Sequence, residues 1–307
     1  MKSFLKIVSD KIKKYFYSEI KRDNEIEKLL LAKILIEKNN NKKNINSLTE
    51  IEFKVFSQFG EDGIIQYLIN IIPIKNKVFI EFGVQDYQES NTRFLLMNNN
   101  WEGLIIDSNK RHIEFIKNDE IYWKYNIKAV CEFITRENMN DIFRLNGFEG
   151  DIGLLSIDID GNDYWVWDAI TIISPRIVIC EYNSVFGYRH AVTIPYVADF
   201  NRTKAHYSNL YFGASLPALC FLARKKGYIF VGSNSTGSNA FFVRKDLANS
   251  IINVVPEKGY VCSKFRESRD STGQLTYISG ENRSQLIEDL EVYDVITGYK
   301  RKIKEFA

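Results

Sequence analysis

The sequence predicts an α/β fold: an open seven-stranded sheet of five parallel strands and a terminal antiparallel hairpin, preceded by an N-terminal helical extension. Three observations carry that prediction. From residue 77 onward, short apolar runs alternate with segments long enough for crossover helices, the pattern of a parallel sheet covered on both faces. The last two runs are joined only by the turn-rich Gly232–Asn239 (GSNSTGSN), which makes a hairpin. Residues 3–38 instead carry helical periodicity without a Gly or Pro.

In chain order, the helix comes first. Leu5, Val8, Ile12, Phe16 and Ile20 recur at spacings of three or four, followed by Ile26, Leu29, Leu30 and Ile34. Asn39–Asn46 ends it as a flexible junction. Such a stripe packs on its own domain or on a second copy, giving a homo-oligomer. Its flanking lysines also allow peripheral membrane contact, although Glu19, Asp23, Glu25 and Glu27 dilute the basic face. Strands are predicted at Val78–Ile80, Leu104–Ile106, Ile127–Phe133, Leu154–Ile159, Ile177–Cys180, Tyr228–Val231 and Ala240–Val243. The expected divisions are residues 1–48 as extension, 49–246 as the α/β domain, and 247–307 as a weakly periodic cap or oligomer contact.

Composition narrows the class. Hydrophobic residues make up 45% and charged residues 26% of the 307, a globular balance. No run approaches the ~20 apolar residues of a membrane span. Lys2, Lys6, Asp10 and Lys11 interrupt any secretory signal. Cys131, Cys180, Cys220 and Cys262 are too widely spaced for a CxxC motif and read as reduced thiols of a cytoplasmic protein. The net charge of +2 divides into +6 on residues 1–48 and −4 on the remainder. The basic excess therefore lies outside the folded body, which argues against nucleic acid as a partner.

In an open α/β sheet, ligands bind beyond the carboxyl ends of the strands, where strand order reverses. The first two strands end in Glu81 and Asp107, 26 residues apart. An acid after the second strand offers two acceptor oxygens to a ribose diol. Gly83 lets the backbone approach a cofactor. Glu81 would repel a pyrophosphate, and the GxGxxG of a dinucleotide site is absent from Glu81-Phe82-Gly83-Val84-Gln85-Asp86. A cationic methionine moiety tolerates that acid, so S-adenosyl-L-methionine (SAM) is favoured over NAD. The strand pattern agrees, matching the seven-stranded sheet of class I SAM methyltransferases. The plain alternative is that both acids are polar strand ends.

The motifs Ser57-Gln58-Phe59-Gly60-Glu61-Asp62-Gly63, Glu81-Phe82-Gly83-Val84 and Ser156-Ile157-Asp158-Ile159-Asp160-Gly161-Asn162-Asp163-Tyr164 together resemble FkbM-type SAM-dependent O-methyltransferases. More closely, they resemble the bacterial branch found with capsule and O-antigen polysaccharide genes. Tyr211–Leu216 and Asn239–Arg244 extend the resemblance over about residues 53–246. It implies that Glu81, Gly83 and Asp107 line a SAM site, with Asp158 beside it. It also implies that Gln58 and the Gly60–Gly63 turn close over cofactor or substrate. The alternative for that turn is a helix N-terminus capped by Ser57.

Asp158 and Asp160 alternate along the fourth strand, and Glu181 ends the fifth. If those strands are neighbours, three carboxylates converge and need protons or a cation between them. Oxygen ligands favour Mg²⁺ or Mn²⁺, which related sugar methyltransferases use to hold vicinal hydroxyls. The competing reading gives Asp158 an interior hydrogen bond and lets Asp160 and Glu181 meet substrate directly.

Methyl transfer to a hydroxyl needs a base. His206 and His190 lie in the long insert after the fifth strand and are the candidates, His206 being preferred; Asp160 is a further one. His112 reads as a surface residue. Arg189, Tyr196, Arg202 and Lys204 share the insert and suit an anionic or polyhydroxylated acceptor. The expected function is O-methylation of a sugar or sugar-linked acceptor in cell-surface polysaccharide synthesis. Its rivals are a nicotinamide-dependent oxidoreductase and a non-catalytic scaffold of the same fold.

Overall fold

A computed structural model of the chain describes residues 2–248 and 253–306. The chain forms two compact units, Met1–Asn44 and Ile45–Ala307. The first unit is the expected helix, observed over Lys2–Asn40. Ile26, Leu30, Leu31 and Ile34 on it are exposed. Among the described residues, no helix is long and apolar enough to cross a membrane.

The second unit opens its sheet with β1 (Val78–Phe82), β2 (Glu102–Asp107), β3 (Ile127–Cys131), β4 (Gly150–Ile157) and β5 (Ile173–Glu181). A short β6 (Val192–Thr193) precedes β7 (Tyr228–Ser233), β8 (Asn239–Arg244), β9 (Glu291–Asp294) and β10 (Lys300–Lys302). The main sheet has the order β3-β2-β1-β4-β5-β8-β7. Strands β1 to β5 pair in parallel, β8 lies antiparallel beside β5, and β7 closes the edge. This is the class I methyltransferase-like sheet that the sequence pattern predicts. Its strand order reverses between β1 and β4, which places a ligand crevice above their carboxyl ends.

Alternation along the strands builds two cores. Ile80, Phe82, Leu104 and Ile106 face one side with Trp167 and Phe242. Phe79, Ile105, Leu154 and Ile177 face the other with Ile64 and Leu68. Both faces are covered, so the strands read as continuous apolar runs. Helix Lys110–Asn118 begins where the Asn109 side chain accepts from the Arg111 amide. Helix Leu216–Lys225 begins in the same way, with Ser215 Oγ accepting from the Ala218 amide at 3.2 Å. Strands β6, β9 and β10 form a separate small sheet. It ties C-terminal residues to the insert after β5, an association that local periodicity does not reveal.

Candidate active site

A cavity of about 490 Å³ opens beyond the carboxyl ends of the central strands. Gly83, Gln85, Asp107, Ser108 and Phe133 line one half; Asp158, Glu181, Ser184, Arg202 and Phe212 line the other. Of the residues expected from sequence, Gln58, Gly83, Asp107, Asp158, Asp160 and Glu181 reach it. Glu81, His190 and His206 are not among its lining residues.

Asp107 is held in place by its own loop and the next helix. Its Oδ2 accepts from the Gln85 amide at 2.8 Å and its Oδ1 from the Asn109 amide at 2.7 Å. His112 Nδ1 lies 3.2 Å from Oδ1. His112 is thus the histidine that contacts the cavity wall, whereas the sequence reading placed it on the surface.

Gly83 has φ +71°, and a Cβ there would lie 1.7 Å from the carbonyl oxygen of Asp158. The glycine is required by the close approach of the β1 and β4 ends, a firmer reason than ligand approach.

Glu81 is a correction. Its carboxylate accepts from Ser90 Oγ at 2.9 Å, the Asn91 amide at 2.8 Å and the Thr92 amide at 3.1 Å, and also from Thr92 Oγ1. Burial pushes it above the usual carboxylate range. Its oxygens are committed to the loop after β1, so it organises that loop instead of facing a ligand charge.

The Ser57–Gly63 turn is likewise structural except at Gln58. Asp62 Oδ2 accepts from the amides of Val55, Phe56 and Ser57 and from Ser57 Oγ, all at 2.7–2.8 Å. Glu61 Oε1 accepts from Asn234 at 2.6 Å and Asn239 at 2.9 Å, tying the turn to the β7–β8 hairpin.

The acidic cluster forms with one change of membership. Oxygens of Asp158, Asp163 and Glu181 lie within 4.8 Å of one another. Asp160 is not part of it. Strand β4 ends at Ile157, so the alternation expected to align Asp160 with Asp158 has already lapsed. Asp160 adopts φ +54°, and its Oδ1 pairs with Arg202 Nη1 at 2.6 Å. Asp163, in the first turn of helix Asp163–Ala169, turns inward and accepts from the Ile159 amide at 2.9 Å and the Gly161 amide at 3.0 Å.

Desolvation raises Asp158 and Glu181 well above the usual carboxylate range, and neighbouring carboxylate charges add to the effect. Burial pushes Asp163 up to about 6. Arg202 offsets only part of this charge; its guanidinium sits 3.8 Å from the Phe212 ring centroid. Among the described residues, Glu181 Oε2 is buried with no hydrogen-bond partner.

Neither histidine of the insert lines the cavity. His206 Nδ1 lies 2.7 Å from Ser208 Oγ, inside its own turn, and burial lowers its pKa. The His190 ring packs at a tilt against Phe306, centroids 5.1 Å apart. Of the basic cluster expected in the insert, Arg202 reaches the cavity, whereas Arg189 lies over Tyr188 and Tyr196 bonds Glu137.

Sequence reasoning missed Asp163 and Arg283, and gave His112 no role beyond the surface. A signal existed for Asp163, an acid opening a helix directly after a strand end. Arg283 lies in a segment without periodicity and lines the cavity only through tertiary folding.

Among solved structures, the chain is similar to the N-terminal domain of EvdMO1, crystallised with SAH bound: 9% identity, TM-score 0.40, spanning 69% of this chain and 94% of that one. It is similar also to PKMT2 from Rickettsia typhi, at 9% identity and TM-score 0.39 over 62% of this chain and 53% of that one. A third is an S-adenosylmethionine-dependent methyltransferase from Clostridium acetobutylicum ATCC 824, at 7% identity and TM-score 0.37 over 60% and 90%. No protein-family model and no curated protein matches the chain. Likenesses this distant leave the chemistry to be read from the site itself.

Proposed function

We propose that the protein is a SAM-dependent O-methyltransferase acting on a hydroxyl of a sugar or sugar-linked acceptor, in the synthesis of a capsule or lipopolysaccharide. The observation that carries this reading is one cavity with two chemically distinct halves at the switch point of the sheet.

The β1–β3 half suits SAM. Asp107 offers carboxylate oxygens to the ribose diol, and Ile106, Phe133 and Ile134 give an apolar wall for the adenine. When bound, SAM supplies an electrophilic methyl group on a sulfonium. These walls would orient the methyl group toward the other half, where proximity and orientation would supply much of the acceleration.

Asp158, Asp163 and Glu181 suit Mg²⁺ or Mn²⁺: their oxygens are close together, all are hard donors, and Glu181 Oε2 lacks a partner. These three residues would hold the cation, which would make a nearby hydroxyl more acidic. Asp160 Oδ1 is held by Arg202, which leaves Oδ2 to take the hydroxyl proton as the carbon–oxygen bond forms. Phe200, Leu210 and Phe212 narrow this half against water.

A nicotinamide oxidoreductase is disfavoured by the glycine-poor loop after β1 and by the β7–β8 hairpin. A non-catalytic scaffold is disfavoured by the unpartnered Glu181 oxygen in an open cavity. For the N-terminal helix, exposed Ile26, Leu30, Leu31 and Ile34 support contact with a second copy or a membrane surface. Turnover of SAM to S-adenosylhomocysteine (SAH) against a panel of sugars, nucleotide sugars and glycan fragments tests the function. Turnover with a glycan acceptor supports it; SAM binding with transfer to none of them removes the sugar assignment.

A further inference from the structure

We propose that the C-terminal segment supplies an anion subsite to the acceptor half of the cavity, in which Arg283 receives a phosphate or carboxylate group of the substrate. Arg283 is only 3% exposed, yet it lines the cavity. Its Nη1 donates to Ser263 Oγ at 2.9 Å and the Phe265 carbonyl at 3.4 Å, its Nε to the Gly280 carbonyl at 3.4 Å, and its Nη2 to Cys262 Sγ at 3.3 Å. Every one of these partners is neutral.

Three other poorly exposed arginines differ from it. Arg176, Arg202 and Arg244 each pair with a carboxylate within 2.7 Å. Among the described residues, Arg283 has no such pair. A guanidinium stays charged at any pH a protein tolerates, and an uncompensated buried charge is strongly unfavourable. A ligand anion entering the cavity would supply the missing charge. Four of the five N–H donors of the guanidinium are engaged by the loop, which leaves one on Nη2.

Two hydroxyls accompany it. Ser184 and Ser263 line the same cavity. Ser184 Oγ accepts from the Ser263 amide at 3.0 Å, and Ser263 Oγ accepts from Arg283. Among the described residues, neither hydroxyl proton has an acceptor. One cation and two free hydroxyl donors are the complement of a phosphate or carboxylate.

Location assigns the anion to the acceptor. Tyr182 Oη donates to the Val261 carbonyl at 2.8 Å and Tyr260 Oη to the Ser184 carbonyl at 2.7 Å, which stitches this segment to the residues following β5. That is the carboxylate half, opposite Asp107. The assignment to acceptor, as distinct from the carboxylate of SAM, rests on the function proposed above.

The test titrates inorganic phosphate into the SAH-loaded protein by calorimetry, with SAM affinity measured in parallel. Wild type should bind phosphate saturably, Arg283→Gln should weaken it by about tenfold or more, and Ser263→Ala by a smaller factor. Arg283→Lys keeps the charge and should retain part of the affinity, which separates anion binding from misfolding. SAM affinity should change by less than about twofold. No saturable phosphate binding by wild type overturns the proposal. A tenfold loss of SAM affinity in Arg283→Gln, with phosphate binding unchanged, also overturns it and assigns Arg283 to the cofactor. If wild type binds no SAM, the methyltransferase reading fails. The titration then runs on the free protein, and Arg283-dependent phosphate binding still supports an anion subsite.

Discussion

Asp158 and Glu181 stand side by side at the carboxyl ends of adjacent parallel strands, one residue beyond the Ile157–Cys180 pairing of β4 with β5, with carboxylate oxygens within 4.8 Å of each other. Two carboxylates in such contact repel unless a proton or a cation lies between them. With Asp163 as a third member, the cluster should bind one Mn²⁺ per chain after chelator treatment, followed by electron paramagnetic resonance. Glu181→Gln should weaken that binding by about 10–100-fold. Asp160→Asn should leave it nearly unchanged, because Asp160 is drawn away by Arg202. Equal binding in wild type and Glu181→Gln would remove the cation.

The histidines should behave in the opposite order to their sequence-based ranking. His206 and His190 do not line the cavity, so His206→Ala and His190→Ala should leave SAM affinity and turnover nearly unchanged. His112→Ala removes the Asp107 contact and should weaken SAM binding by roughly fivefold, the equivalent of about 1 kcal/mol. A turnover collapse in His206→Ala, with SAM binding intact, would restore His206 as the base.

That reversal shows where the sequence is legible. The five βα units and the hairpin are readable because both sheet faces bury continuous apolar runs such as Leu104–Ile106. Asp107 is readable because it ends such a run. Asp163 and Asp160 are confused because alternation holds only inside a strand, and β4 stops before either residue. The insert is harder still. His206 and Arg202 are close in sequence, but one bonds within its own turn and the other reaches Asp160. Arg283 enters the site through contacts with Ser263 and Cys262, which no local pattern encodes.

Gly83 offers a steric test of the junction between β1 and β4. Gly83→Ala would press a Cβ against the Asp158 carbonyl oxygen at a positive φ, and should destabilise the fold by about 3 kcal/mol or more. Gly147 also has positive φ, +81°, but nothing lies within 4 Å of a Cβ there. Gly147→Ala should cost only about 1 kcal/mol. Similar losses for the two variants in denaturant unfolding would mean that the close approach does not govern this position.

At the other end of the sheet, Asp151 pairs with Arg176 and Arg244, each at 2.7 Å. Burial opposes its ionisation, but the two arginines outweigh this and hold it below its ordinary 3.8. A lowered folded-state pKa stabilises the fold above the unfolded value, and that contribution fades as pH falls through the folded one. The melting-temperature gap between wild type and Asp151→Asn should therefore be full above about pH 4 and shrink below it. A constant gap down to about pH 2 would contradict the pairing.

Calorimetric titration of SAM into the wild-type protein and Asp107→Ala tests the two-halved cavity most directly. The expected result is one SAM per chain, no competition by NAD, and a loss of about 1–3 kcal/mol in Asp107→Ala through charged hydrogen bonds to the ribose. Saturable NAD binding without SAM binding, or equal SAM affinity in a folded Asp107→Ala protein, would contradict it.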